Sequence, residues 1–163
     1  GDVISVDPHF EYTPSGYVVS RYIDDKAAVA ALIEVMAYFK RNNLKPKYRT
    51  LLAFPIYEEI GHGGAYVPEE VEEYVALDIG LIGPDYHADE KTVSICAKDN
   101  YSPYDRELTT RIINQAKQTN LNYCVMEQTL MPQFVQVIMF MLQHLVWLLL
   151  IHMVKNVVIL IQS

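Results

Sequence analysis

After Glu127 this sequence has no Asp or Glu, and of its 13 Lys and Arg residues only Lys155 lies beyond that point. Residues 1–127 thus carry all 20 acids against 12 basic residues, a net −8, while residues 128–163 carry a net +1. Basic residues are scarce overall. A formal charge of −7 disfavours a nucleic-acid partner, because such proteins present a basic face that displaces counterions from phosphate. A cation or a small substrate fits better. Cysteine is nearly absent: Cys96 and Cys124 match no metal-ligand spacing and imply no disulfide framework, so they read as buried or incidental thiols in a reducing compartment. The first residues, GDVISVDPHF, lack a basic leader and an apolar h-region, so no secretory signal is read there and a cytoplasmic protein is expected. Repeats and low-complexity segments are absent before the tail, and 163 residues suit one domain with a real core.

The one long apolar run is Phe134 to Ile161, rich in Val, Ile, Leu, Met and Phe and long enough to cross a bilayer. Gln136, Gln143, His144 and His152 interrupt it, so a membrane anchor through residues 134–154 is only an alternative reading.

Ahead of the tail, strands and helices alternate. VISVD before Pro8 and GYVVSRY after the turn-like TPSG read as short strands. From Asp25, the apolar residues Ala28, Leu32, Val35, Met36 and Phe39 recur at helical spacing, and the pattern stops near Arg41-Asn42-Asn43, before Pro46. TLLAFPIY reads as a buried strand with Glu58-Glu59 at its C-terminal end, followed by a GHGG turn. Further strands are expected at Tyr74 to Ile79 and Thr92 to Ala97. Asp105 to Asn120 reads as an amphipathic helix with Leu108, Ile112, Ile113 and Ala116 on one face. This alternation predicts an α/β layer with a largely parallel sheet, whose ligands gather beyond the carboxyl ends of the strands.

The acids stand at those ends. Asp24 and Asp25 open a helix, Glu58 and Glu59 follow a strand, and Asp78 lies within apolar VALDIG. Adjacent acids can divide their work, one holding an ion while the other takes a proton from an ion-activated water. Each also has a plainer reading. Asp24 or Asp25 could be a helix N-cap, Glu58-Glu59 a solvated strand end, and His62 an ordinary loop histidine; His9 and His87 have no helpful spacing. Asp78 is the least comfortable at a surface, since a buried carboxylate asks for a cation or for hydrogen bonds.

Five segments in order, SRYIDDKAAVAALIE, FPIYEEIGHGGA, EEYVALDIGLIGP, DEKTVSICAKDNYSPYDRELT and QAKQTNLNYCV, resemble the second half of an M42-family metallo-aminopeptidase of the glutamyl or tetrahedral type. The resemblance covers nearly all of residues 1–125. It implies a partial α/β/α catalytic domain with a largely parallel central sheet, two divalent ions (Zn, Co or Mn), homo-oligomers, and removal of N-terminal residues from peptide substrates. Carried over by position, Asp24 matches the carboxylate bridging the metals, Glu58 the general base, Glu59 a metal ligand and Asp78 the ligand of the other metal. Asp25 matches no expected ligand. Two imidazole ligands implied by the resemblance have no counterpart: one belongs to a His-x-Asp segment expected before Gly1, the other to a late Ser/Thr-His-Gly-x-Glu-Arg motif. Without them the chain is expected to be weak or inactive, and a non-catalytic remnant that at most assembles with other subunits is the alternative.

The tail departs from the resemblance after Val125, so residues 126–163 read as an aberrant apolar segment. Possible codons for Ile151 to Ile159, shifted by one nucleotide, can encode Thr-His-Gly-x-Glu-Arg-Ser-His, and the same shift turns Met126 to Thr129 into Tyr-Gly-Thr-Asp. From about Met126 the chain is therefore expected to be an out-of-frame translation. Sequencing the coding DNA should show the missing histidine motif in the neighbouring frame; stops throughout that frame would end the idea.

Overall fold

The computed structural model of the chain describes residues 1–80, 82, 84, 91–99, 102–127 and 157–161. Strand β1 (Glu11–Tyr12) and strand β2 (Val18–Val19) form an antiparallel hairpin. Its turn is TPSG, where Gly16 adopts a φ of 90° and donates its N–H to the Thr13 carbonyl at 2.9 Å. The expected strand at VISVD does not form. Residues 1–10 are exposed and irregular, since these alternating apolar side chains find no layer to pack on.

Helix α1 (Ile23–Arg41) has non-helical backbone angles at Asp24 and Asp25, so its regular turns begin behind the acids. Ala28, Leu32, Val35 and Phe39 are buried as their spacing predicts, whereas Met36 turns outward and is 44% exposed. The helix stops where Asn43 takes a left-handed φ of 52° and Leu44 N–H returns to the Phe39 carbonyl at 2.9 Å. Helix α2 (Arg106–Gln118) ends in the same way, with Asn120 at a φ of 53° and Leu121 N–H on Ala116 O at 2.9 Å. It begins on Asp105, whose Oδ1 accepts the Leu108 N–H at 2.7 Å. Leu108, Ile112 and Ala116 are its buried face.

Strand β3 (Thr50–Ala53) is shorter than TLLAFPIY predicts and is only partly buried. Pro55 ends it, because proline has no N–H for the ladder and restricts the residue before it. Strand β4 (Glu73–Leu77) leads directly into Asp78, and strand β5 (Val93–Lys98) and strand β6 (Tyr123–Glu127) pair in parallel. Strand β7 (Val157–Ile161) lies between β3 and β4, parallel to both, with Val157 opposite Thr50 on one side and Glu73 on the other. The described strands thus form a hairpin, a three-stranded parallel sheet in the order β3-β7-β4 and a parallel pair β5-β6, rather than one central sheet.

These elements make an α/β protein with one principal core. Leu32, Val35 and Phe39 of α1 meet Val75 and Leu77 of β4, Val93 and Ile95 of β5, and Leu108 and Ile112 of α2. Residues two apart share a face of a strand, so Val75 and Leu77 turn to the helices while Tyr74, Ala76 and Asp78 take the other side. Arg111 of α2 pairs with Glu73, tying the helix to the start of β4. Neither cysteine forms a disulfide; Cys96 is buried and Cys124 partly so. Among the described residues no helix is long and apolar enough to cross a membrane, and residues 134–154 lie outside them, as does most of the tail expected to be out of frame.

Leu32 is completely buried, so Leu32→Ala should destabilise the chain by about 2–5 kcal/mol through lost transfer energy and a residual cavity. Met36→Ala on the outer side should cost no more than about 0.5 kcal/mol. Urea unfolding of the two variants beside the parent checks this difference.

Candidate metal centre

Two chain segments bring the acids together. At the start of α1, Asp24 and Asp25 are joined by a cis peptide bond, and Asp25 Oδ1 accepts the Ala28 N–H at 3.1 Å. That is an N-cap bond, made three residues ahead into the first turn. The cap is therefore Asp25, and Asp24 projects from the loop just before it. From the other side, the apolar run of β4 delivers Asp78 immediately past the last buried strand residue, Leu77. Asp78 Oδ1 accepts the Ile79 N–H at 2.6 Å.

Asp24, Asp25 and Asp78 each offer a carboxylate oxygen, and these three atoms lie within 4.8 Å of one another. Asp25 and Asp78 are buried, while Asp24 reaches toward the exposed side. Asp24 and Asp78 also share a side-chain hydrogen bond, which requires a proton when no cation separates them.

Glu58 and Glu59 are not at a strand end. They lie in a single 3-10 turn, Glu58–Ile60, beyond Pro55, which closes on Gly61 at a φ of 77°. This conformation suits glycine, and it accounts for the first glycine of GHGG. Glu58 is half-buried and Glu59 exposed, so the neighbours do face different surroundings, though through a turn rather than strand alternation. Glu59 stays outside the three-carboxylate group, and its charge acts on both Asp78 and Glu58. Gly63 lies against the Glu58 side chain, where an added Cβ would come within 2.9 Å of Cγ.

Electrostatics bind these acids into one unit. Burial, then the charges of Asp78, Asp24 and Glu58, push Asp25 up to about 9, against the lowering effect of its bond from Ala28. Burial also raises Asp78 to about 8, opposed by the Ile79 N–H and reinforced by Asp24, Glu58 and Glu59. Glu58 is raised to about 7 by burial and then by Glu59 and Asp24. Asp24 is raised by burial, although its bond to Asp78 works the other way. Tyr74, four residues before Asp78 on the same strand face, is raised by burial and then by the Glu58 charge.

Such a group binds protons or a cation. Asp25 Oδ2 is the most direct sign, being a buried oxygen without a hydrogen-bond partner. An unpaired buried acceptor costs about 1–3 kcal/mol, and a divalent ion would satisfy it while cancelling the repulsion. The residues present therefore fit a metal. Of the acids expected from the sequence to be site residues, the structure groups Asp24 with Asp78, sets Glu58 beside them electrostatically and leaves Glu59 at the rim. It adds Asp25, whose adjacency to Asp24 was visible in the sequence but whose inward turn was not.

The sequence matches the family model of the M42 glutamyl aminopeptidase over residues 1–131. It is also similar to "Putative aminopeptidase YhfE" of Bacillus subtilis (strain 168), at 39% identity over 124 residues, which is 76% of this chain and 36% of that protein. The chain thus spans little more than a third of the length of the curated relative it matches.

The metal-free chain should lose stability as pH rises. Glu58, Asp78 and Asp25 hold protons more tightly folded than unfolded, so stability is fullest below their ordinary values of 4.5 and 3.8 and falls until about 7, 8 and 9 respectively. Melting curves in chelator from pH 4.5 to 9 should show this decline, and added Mn²⁺ should offset it most at the alkaline end, where the ligands are deprotonated. A melting temperature that rises across this range in chelator would contradict the assignment.

Proposed function

The chain belongs to the M42 glutamyl aminopeptidase family, and from that premise we propose that it supplies the carboxylate part of a two-metal centre that removes N-terminal residues from peptides. The supporting observation is that carboxylate oxygens of Asp24 and buried Asp78 lie within 4.8 Å of each other, with Glu58 close enough to feel the Asp24 charge and to act on Asp78. In this reading Asp24, Glu59 and Asp78 would hold the ions, and Glu58 would be the general base. Two divalent ions, when bound, acidify a water and stabilise negative charge on the scissile carbonyl.

The protein's own groups carry the proton. Glu58, raised toward neutrality by burial, takes it from the attacking water and passes it to the leaving amine. Its exposed side, by Ile56, Tyr57 and Ile60, leaves room for a peptide to approach. Glu59 must swing inward from the rim to act as a ligand, while Asp24 and Asp78 already meet. Zn, Co and Mn are the candidate ions, and a set dominated by carboxylates favours the harder ones.

The wider reading rests on the family resemblance. The intact domain is taken as an α/β/α layer with a largely parallel central sheet, in a cytoplasmic homo-oligomer that acts on peptides and binds neither nucleic acid nor membrane. Residues 1–125 form part of that domain, and residues 126–163 are read as the out-of-frame tail.

With no counterpart in these residues for the two expected imidazoles, the purified chain should hydrolyse an aminoacyl-anilide weakly or not at all, even with Mn²⁺, Co²⁺ or Zn²⁺ added. Robust hydrolysis abolished by chelator would overturn that expectation of inactivity. In that case Glu58→Gln should reduce the rate by about 10²–10⁴ while leaving metal uptake intact. Calorimetric titration separates a residual centre from a non-catalytic remnant: stoichiometric binding, lost in Asp24→Asn and Asp78→Asn, supports the centre, and no binding supports the remnant.

A further inference from the structure

We infer that the gap between β3 and β4 is a strand-binding site, which accepts an extended apolar peptide running parallel to both and can take it from a separate molecule. Its present occupant is β7, and the inference does not depend on the metal-centre reading. The ladder carries it. Thr50 to Ala53 of β3 pair with Val157 to Leu160, while Glu73 to Leu77 of β4 pair with Val157 to Ile161, both in parallel and in unbroken register. Among the described strands, β3 and β4 are joined only through β7. Neighbouring strands lie about 4.7–4.9 Å apart, so the gap is about 9–10 Å wide and takes one strand.

The kind of occupant follows from the one present. Val-Val-Ile-Leu-Ile has no polar side chain, and all but Leu160 are β-branched, which suits a strand bonded along both edges. No hairpin ties it in place, because a parallel strand has no short connection to either neighbour. It belongs, moreover, to the tail proposed above to be out of frame. Its fit therefore rests on backbone pairing and apolar character, which a strand of another molecule supplies equally well. Because β4 leads to Asp78 and β3 toward the turn carrying Glu58, any strand in the gap holds those two segments two strand spacings apart.

Ile159 is the central position, opposite Leu52 on one side and Val75 on the other. Proline there has no N–H for the ladder. In the full chain, Ile159→Pro should lower the melting temperature by about 5 °C or more. A synthetic peptide of residues 155–163 should restore most of that loss. By fluorescence anisotropy it should bind the variant at least about tenfold more tightly than the parent, whose gap is filled. The same peptide carrying Ile159→Pro should do neither. Equal binding of that proline peptide, or equal capture by the parent, marks adhesion to exposed apolar surface and overturns the site. So does an Ile159→Pro chain as stable as the parent. If the variant does not fold alone, refolding it with the peptide decides: recovery of the helical circular dichroism of α1 and α2 supports the site, and no recovery overturns it.

Discussion

Three carboxylates crowded within 4.8 Å, two of them buried, set the condition to which the surrounding structure answers. Such a group repels itself and loses hydration, and every neighbouring charge acting on Asp25 is another carboxylate. Part of the cost is met locally. The Ala28 and Ile79 N–H groups each donate to one of the acids, and Asp24 and Asp78 bond to each other. What the backbone leaves unsatisfied, notably Asp25 Oδ2, is the opening for a cation.

The core below the acids makes that crowding persist. Val75 and Leu77 anchor β4 against Leu32 and Val35 of α1, so the end of the strand and the start of the helix are held by the same apolar contacts. Moving Asp78 away from Asp25 would mean pulling buried side chains out of that layer, at about 1.5–3 kcal/mol for each large one exposed. Glu58 and Glu59 are held differently. Their 3-10 turn has no buried residue, and its position depends on Pro55, the left-handed Gly61 and the close approach of Gly63 to Glu58. A rigid pair of acids thus faces a less firmly packed pair, an arrangement that suits fixed ligands opposite a group that exchanges protons.

Much of the fold was legible from spacing. The buried faces of α1 and α2, the strands preceding Asp78 and Asp99, and the stop of α1 at Asn42-Asn43 follow from periodicity and from the tolerance of asparagine for left-handed backbone. Other features were not. Alternation in VISVD signals a strand only where a neighbouring strand exists, Met36 at the edge of a helical stripe can fall on either side, and the apolar length of TLLAFPIY concealed the stop imposed by Pro55. The insertion of β7 between β3 and β4 joins residues some 100 positions apart in the chain, and no local pattern specifies such a pairing.

The acids divide along the same line. By itself the sequence determined their identity, their places beside a helix start and a strand end, and through its five segments the family to which they belong, because side-chain chemistry and short-range periodicity are local properties. Tertiary structure alone decided which of them meet. Asp25 is buried with Asp24 and Asp78 because the N-cap bond and the backbone angles before α1 turn it inward, while Glu59 stays exposed because its turn projects past Pro55. Proximity across the chain is a product of packing, and packing is where the roles of neighbouring, chemically identical side chains diverge.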